Sequence, residues 1–69
     1  MKTGELIRTL RKEKKLTQEQ VADLLGVSAP AVNKWENGNS MPDVMLLAPL
    51  ARLLDTDVIL NPEVYTAAT

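Results

Sequence analysis

The feature that most constrains this chain is a three-residue break, Gly26-Val27-Ser28, between two short segments of helical apolar spacing. Upstream, Thr17 and Gln20 have the spacing of a capping box, and Leu16 with Val21 has that of a hydrophobic staple. A helix therefore starts at Thr17 and buries Val21, Ala22, Leu24 and Leu25. Gly26 ends it, because a glycine just past a helix takes the left-handed conformation without steric cost. Downstream, Ser28 caps a second helix whose first turn is Ala29, Pro30 and Ala31. Proline is tolerated there because first-turn N–H groups have no intrahelical partner. Val32 and Trp35 point inward at i, i+3, and Asn37–Gly38 stops the helix. Two helices joined through so tight a turn cross at a steep angle.

The remaining segments extend this pattern, punctuated by Gly4, Gly38 and prolines 42, 49 and 62. A first helix is expected from Thr3, as N-cap, to Lys14 or Lys15, with Leu6, Ile7 and Leu10 as its apolar stripe. Pro49 leaves two readings of the next segment. Asp43 could cap a helix from Val44 to Leu54 with a mid-helix proline. The favoured reading starts the helix near Leu46 or Leu47, with Pro49 in the first turn and Leu47, Leu50, Ala51 and Leu54 facing the core. Asp57 can cap a short fifth helix from Val58, with Asn61–Pro62–Glu63 read either as its end or as the cap and first turn of a further helical turn. The tail Thr66–Thr69 should fray. The fold class is an all-α, compact five-helix bundle.

Composition excludes several functions. With 69 residues the chain is one small domain, and 45% apolar content argues against disorder. Cysteine and histidine are both absent, so zinc sites and general-base catalysis lose their usual residues. No glycine-rich phosphate loop or acidic cluster suggests an enzyme, a metal or a cofactor. The longest apolar stretch, Val44 to Leu50, is too short to span a bilayer. These features agree with a cytoplasmic, nucleoid-associated protein. Net charge is −1, but its distribution is uneven. Residues 1–16 carry Lys2, Arg8, Arg11, Lys12, Lys14 and Lys15 against Glu5 and Glu13, whereas residues 17–69 carry Lys34 and Arg52 against seven acids. A local basic footprint for DNA is present on an acidic chain.

The crossing places Ala29, Pro30, Asn33 and Lys34 on the outer side of the third helix, where a helix can enter the major groove. The whole spaced set comprises L-R-K-E-K-K-L-T-Q-E-Q-V-A-D-L-L-G-V-S, then V-N-K-W-E-N-G, then P-D and L-A-R-L-L. It resembles the phage-repressor and Cro helix-turn-helix family, also termed the xenobiotic-response-element family. The resemblance runs from Gly4 to Leu54.

That resemblance implies a lambda-repressor-like bundle with the third helix as reader and the second lying across the phosphate backbone. It implies that Gln18 meets a phosphate, in keeping with the anion affinity of helix N-termini. Asn37, Gly38 and Asn39 would offer backbone or amide donors to the DNA backbone, with Ser28 and Lys12 completing the phosphate set. Ala29, Pro30, Asn33 and Lys34 fall where the family reads bases. Arg11 and Glu36 fall where it places an ion pair between the first and third helices. It also implies a homodimer on half-sites roughly 34 Å apart. Two departures stand out. Ala29 and Pro30 carry no side-chain donor, which leaves hydrogen-bonded readout to Asn33 and Lys34. Asp55 replaces the usual glycine after the fourth helix.

The expectation is sequence-specific binding of double-stranded DNA by a bacterial transcriptional regulator, repressing or activating a nearby promoter, with residues 28–37 as recognition helix. Residues 1–60 would form the DNA-binding domain. Residues 61–69 would be a short C-terminal extension, truncated from a regulator that continues into an effector domain. The alternative is a helix-turn-helix used as a protein-interaction module, which the acidic balance and the apolar Ala29–Pro30 pair favour. Lys12, Lys14 and Lys15 also read as solubilising charge, and Trp35 as core.

Overall fold

The computed structural model describes residues 3–56, all-helical over that span. Its elements are α1 (Thr3–Glu13), α2 (Gln18–Leu25), α3 (Ala29–Glu36) and α4 (Val44–Leu53). The expected fifth helix from Val58, its Asp57 cap, the Asn61–Pro62–Glu63 interruption and the tail lie outside the described residues.

Each helix begins and ends on local chemistry. Thr17 caps α2 in a reciprocal capping box, its hydroxyl accepting from the Gln20 N–H while the Gln20 side chain accepts from the Thr17 N–H. Ser28 caps α3 by accepting from the Ala31 N–H at 3.3 Å. Asp43 caps α4 by accepting from the Met45 N–H at 2.9 Å. All four helices close with one motif. A residue in left-handed conformation donates back three positions, and the next donates back five, as Leu16 to Arg11, Val27 to Ala22, Asn39 to Lys34 and Thr56 to Ala51. The left-handed residues are Lys15, Gly26, Gly38 and Asp55.

The core is one cluster of Leu6, Ile7, Val21, Ala22, Val32, Trp35, Leu47, Leu50 and Leu54. α3 packs on both α1 and α2, and α4 packs on α2. Leu10, Leu16, Leu25 and Val27 pack against the cluster from its edge.

Four sequence expectations need correction. Thr3 is not an N-cap; it lies within α1 and is fully buried. Leu24 was assigned to the buried face of α2 but is 65% exposed. It sits roughly 100° around the helix from the centre of Val21, Ala22 and Leu25. α4 starts at Val44 under the Asp43 cap, so Pro49 lies inside the helix rather than in its first turn. The proline is tolerated because the carbonyl that loses its helical donor is that of Met45, a residue 83% exposed on the solvent side of the helix. Gly4 is not punctuation. It is buried inside α1, where an added Cβ would lie 2.9 Å from the Glu36 carbonyl oxygen and closer still to that of Trp35.

Gly4 therefore sets how closely α1 approaches the end of α3. Gly4→Ala should lower stability by about 2 kcal/mol despite alanine's better helix propensity, because backbone must yield. Lys15→Gly should do the opposite. Relieving the left-handed lysine outweighs the added freedom of the unfolded chain, for a gain of about 0.5–1 kcal/mol. Asp55→Gly should gain less, since aspartate tolerates that conformation better. Thermal unfolding followed by circular dichroism ranks the three.

Candidate nucleic-acid interface

α3 is eight residues long and its two sides differ in kind. Val32 and Trp35 are buried, whereas Pro30, Asn33, Lys34 and Asn37 are exposed. Positions 30, 33, 34 and 37 are neighbours at i, i+3 and i+4, so they form one continuous outward face. Ala29 is half-buried and packs against the core, so only part of it reaches that face. Lys34 makes no ion pair among the described residues, leaving its ammonium uncompensated. A helix about 12 Å long with polar residues along one side fits a major groove of similar width.

Beside this face lies the N-terminus of α2, where Lys15, Thr17, Gln18, Glu19 and Ala29 line an open cleft above Arg11. Helix N-termini attract anions through unpaired N–H groups and the helix dipole. Lys12 is exposed on α1. At the other end of α3 the expected backbone donors are already engaged. The Asn37 N–H donates to the Asn33 carbonyl, Gly38 to Trp35 and Asn39 to Lys34. What that turn offers outward is side-chain amide, from the exposed Asn37 and Asn39.

The side chains behind the face centre on Glu36. Its carboxylate is fully buried and accepts four hydrogen bonds. Arg11 grips it at both oxygens, Nε to Oε2 at 2.6 Å and Nη2 to Oε1 at 3.0 Å. Arg11 also donates from Nη1 to the Leu16 carbonyl at 2.8 Å, tying the α1–α2 link to the same centre. Gln18 Nε2 donates to Oε1 at 3.1 Å and Arg8 Nε at 3.4 Å. Arg11 and Glu36 are thus joined as an ion pair between α1 and α3.

Gln18 carries a second engagement, because its Oε1 accepts from Asn33 Nδ2 at 3.4 Å. Asn33 Oδ1 accepts from Asn37 Nδ2 at 3.0 Å, and Asn37 Oδ1 accepts from Arg8 Nη2 at 2.9 Å. Expected phosphate contacts (Gln18, Asn37) and an expected base contact (Asn33) are brought into one network, while Lys12 and Lys34 stay outside it. Sequence reasoning missed Arg8. It lies 28 positions from Glu36, and its only signal was a place three residues before Arg11 on the same helix face. Among the described residues there is no cluster of metal ligands, and no helix is long and apolar enough to cross a membrane.

A helix-turn-helix family profile matches residues 7–60. An "uncharacterized HTH-type transcriptional regulator", YqaE of Bacillus subtilis, is 39% identical over 55 residues, which are 80% of this chain and 47% of YqaE. The HTH-type transcriptional activator BcrR of Enterococcus faecalis is 36% identical over 58 residues, 84% of this chain and 28% of BcrR. The ImmF control region 10 kDa protein of Bacillus phage phi105 is 39% identical over 57 residues, 83% of this chain and 63% of the phage protein. The chain thus spans between about a quarter and two thirds of these relatives. No solved structure matches it.

Burial pushes the Glu36 carboxyl up, but hydrogen bonds from Arg11, Gln18 and Arg8 and the Arg11 charge outweigh it, holding the group below its ordinary value of 4.5. A depressed folded pKa stabilises the fold above the unfolded value, and that contribution disappears as pH falls through the folded pKa. The wild type should therefore lose stability as pH falls below 4.5, the ordinary value of the group. Glu36→Gln should cost about 3 kcal/mol at neutral pH and flatten that acid limb, as measured by urea unfolding across the pH range.

Proposed function

The chain belongs to the helix-turn-helix family, and from that premise we propose that it binds double-stranded DNA as a transcriptional regulator, with α3 in the major groove. The observation that carries this reading is the outward face of α3, where Pro30, Asn33 and Lys34 stand exposed opposite the buried Val32 and Trp35. Asn33 and Lys34 supply the base-reading donors, while Ala29 and Pro30 offer apolar contact to thymine methyl groups. The N-terminus of α2 beside Gln18, the Ser28 turn, Lys12 and the side-chain amides of Asn37 and Asn39 hold the phosphates. The relatives named as transcriptional regulators support the assignment.

The function is binding rather than catalysis, and it needs no cofactor. Two copies on a two-fold symmetric site are the natural arrangement for such a module. The greater length of the relatives supports a regulator that includes further domains beside residues 1–60. Its place is the bacterial cytoplasm, on the nucleoid. One observation favours a second reading, a protein-interaction module without DNA binding. Leu24, Val44 and Met45 are large apolar side chains left 65%, 67% and 83% exposed.

Selection from a random duplex pool, with wild type and Lys34→Ala in parallel, separates the two. DNA reading requires an enriched motif that changes at one base pair in the mutant, together with affinity that falls steeply with salt. Lys12→Ala should weaken all sequences alike and reduce the salt slope by about one. No enrichment and no salt-sensitive retention would leave the protein-interaction module.

A further inference from the structure

The hydrogen bonds around Glu36 form a closed and directed ring. Arg8 Nη2 donates to Asn37, Asn37 to Asn33, Asn33 to Gln18, and Gln18 to Glu36. Arg8 Nε closes it by donating to the same Glu36 oxygen. Three of the five members are primary amides, each of which can turn over and exchange its donor and acceptor ends. The two charged members cannot. A guanidinium only donates and an ionised carboxylate only accepts.

Each charged end fixes the amide beside it, and the Arg8 arm reaches Asn33 through the shorter bonds, 2.9 and 3.0 Å against 3.1 and 3.4 Å on the Glu36 arm. Glu36 requires Gln18 to turn its NH2 inward, which presents Gln18 Oε1 to Asn33. Arg8 requires Asn37 to turn its oxygen inward, which presents Asn37 Nδ2 to Asn33. Asn33 is thus bounded by an acceptor on one side and a donor on the other, and only one orientation of its amide satisfies both. Turning it over would set NH2 against NH2 and oxygen against oxygen. Glu36 is fully buried in its side chain and gripped by Arg11, so the reference point of the ring does not move.

We infer that Arg8 is a positioning residue that sets the donor–acceptor polarity of Asn33, and so its choice of base, without itself touching that base. This rests on the reading of α3 as the DNA-reading helix. Adenine presents an acceptor and a donor side by side in the major groove, and an amide pairs with both only in the matching order. Asn33 keeps one N–H and one oxygen lone pair beyond those the ring uses. The ring delivers these to the groove in one order. The effect reaches Asn33 from a first helix 25 positions earlier in sequence, most directly through Asn37.

The test uses two interruptions of the ring, Arg8→Met and Asn37→Ala, neither of which removes the Arg11 grip on Glu36. In 15N-labelled protein without DNA, the side-chain amide signals of Asn33 and Gln18 should shift in both variants. Arg8 touches neither amide, so loss of a mere surface charge would leave both signals in place. In duplex selection, the base pair that loses its preference in Asn33→Ala should also relax in both variants. Discrimination there should fall from about tenfold to about twofold, with preferences elsewhere retained. Unchanged amide signals in both variants would overturn the ring whatever the selection yields. Shifted signals with a uniform loss of affinity across all sequences would overturn the role in base choice and leave Arg8 a phosphate contact. A wild type that enriches no motif while its amides still respond would overturn the DNA reading itself, and the specificity claim with it.

Discussion

Three of the four helices meet at one carboxylate. Glu36 sits at the end of α3, fully buried, and a bare charge there would be untenable. Its four donors come from α1 and from the start of α2, so neutralising the charge and assembling the three helices are a single event. Arg11 extends the same logic by holding the Leu16 carbonyl, which fixes where the chain turns from α1 into α2. A buried ion pair of this kind is weak support for net stability, since apolar residues of similar volume often do as well. Its worth lies in geometry. An apolar contact tolerates a slide of one helix along another, whereas a two-point grip between guanidinium and carboxylate does not.

Gly4 serves the same junction from the other direction. It lets α1 lie directly against the Trp35 and Glu36 carbonyls, bringing Arg8 and Arg11 within reach of the acid. The apolar core beneath then needs only to be filled. Two charge–shape devices therefore set the frame, and Ile7, Val21, Val32, Leu50 and Leu54 fill it.

Much of this was legible in the sequence because the signals are short-range. The Thr17–Gln20 capping box, the Ser28 cap, the Gly26 reversal and the inward Val32 and Trp35 each depend on residues within four positions. The misreadings share another cause. Pro49 looked like a helix start because its cost is usually decisive, yet a missing hydrogen bond on the wet side of α4 is made good by solvent. Leu24 looked buried because it is a leucine in an apolar run, but its angle on the helix points it away. Gly4 looked like a break because close approach between distant helices leaves no mark beside the glycine. Arg8 was indistinguishable from its basic neighbours, since its partners Glu36 and Asn37 are distant in sequence. Pairing of Arg11 with Glu36 was visible only through family resemblance, for the same reason.

The link between α2 and α3 has a further implication. Gly26 reverses the chain, Val27 completes the closing hydrogen bonds of α2 and packs on the core, and Ser28 already caps α3. No residue in that turn is spare, so the frame resists insertion and most substitution there. The exposed face a few residues later is under no such restraint at Pro30 and Lys34. The domain therefore separates what must be kept from what is free to drift, and those two exposed positions can change while the scaffold is inherited intact. Asn33 is the exception among its neighbours. Bound into the ring, it changes only at the cost of disturbing several other side chains, so it should evolve as a member of a group while Pro30 and Lys34 evolve alone.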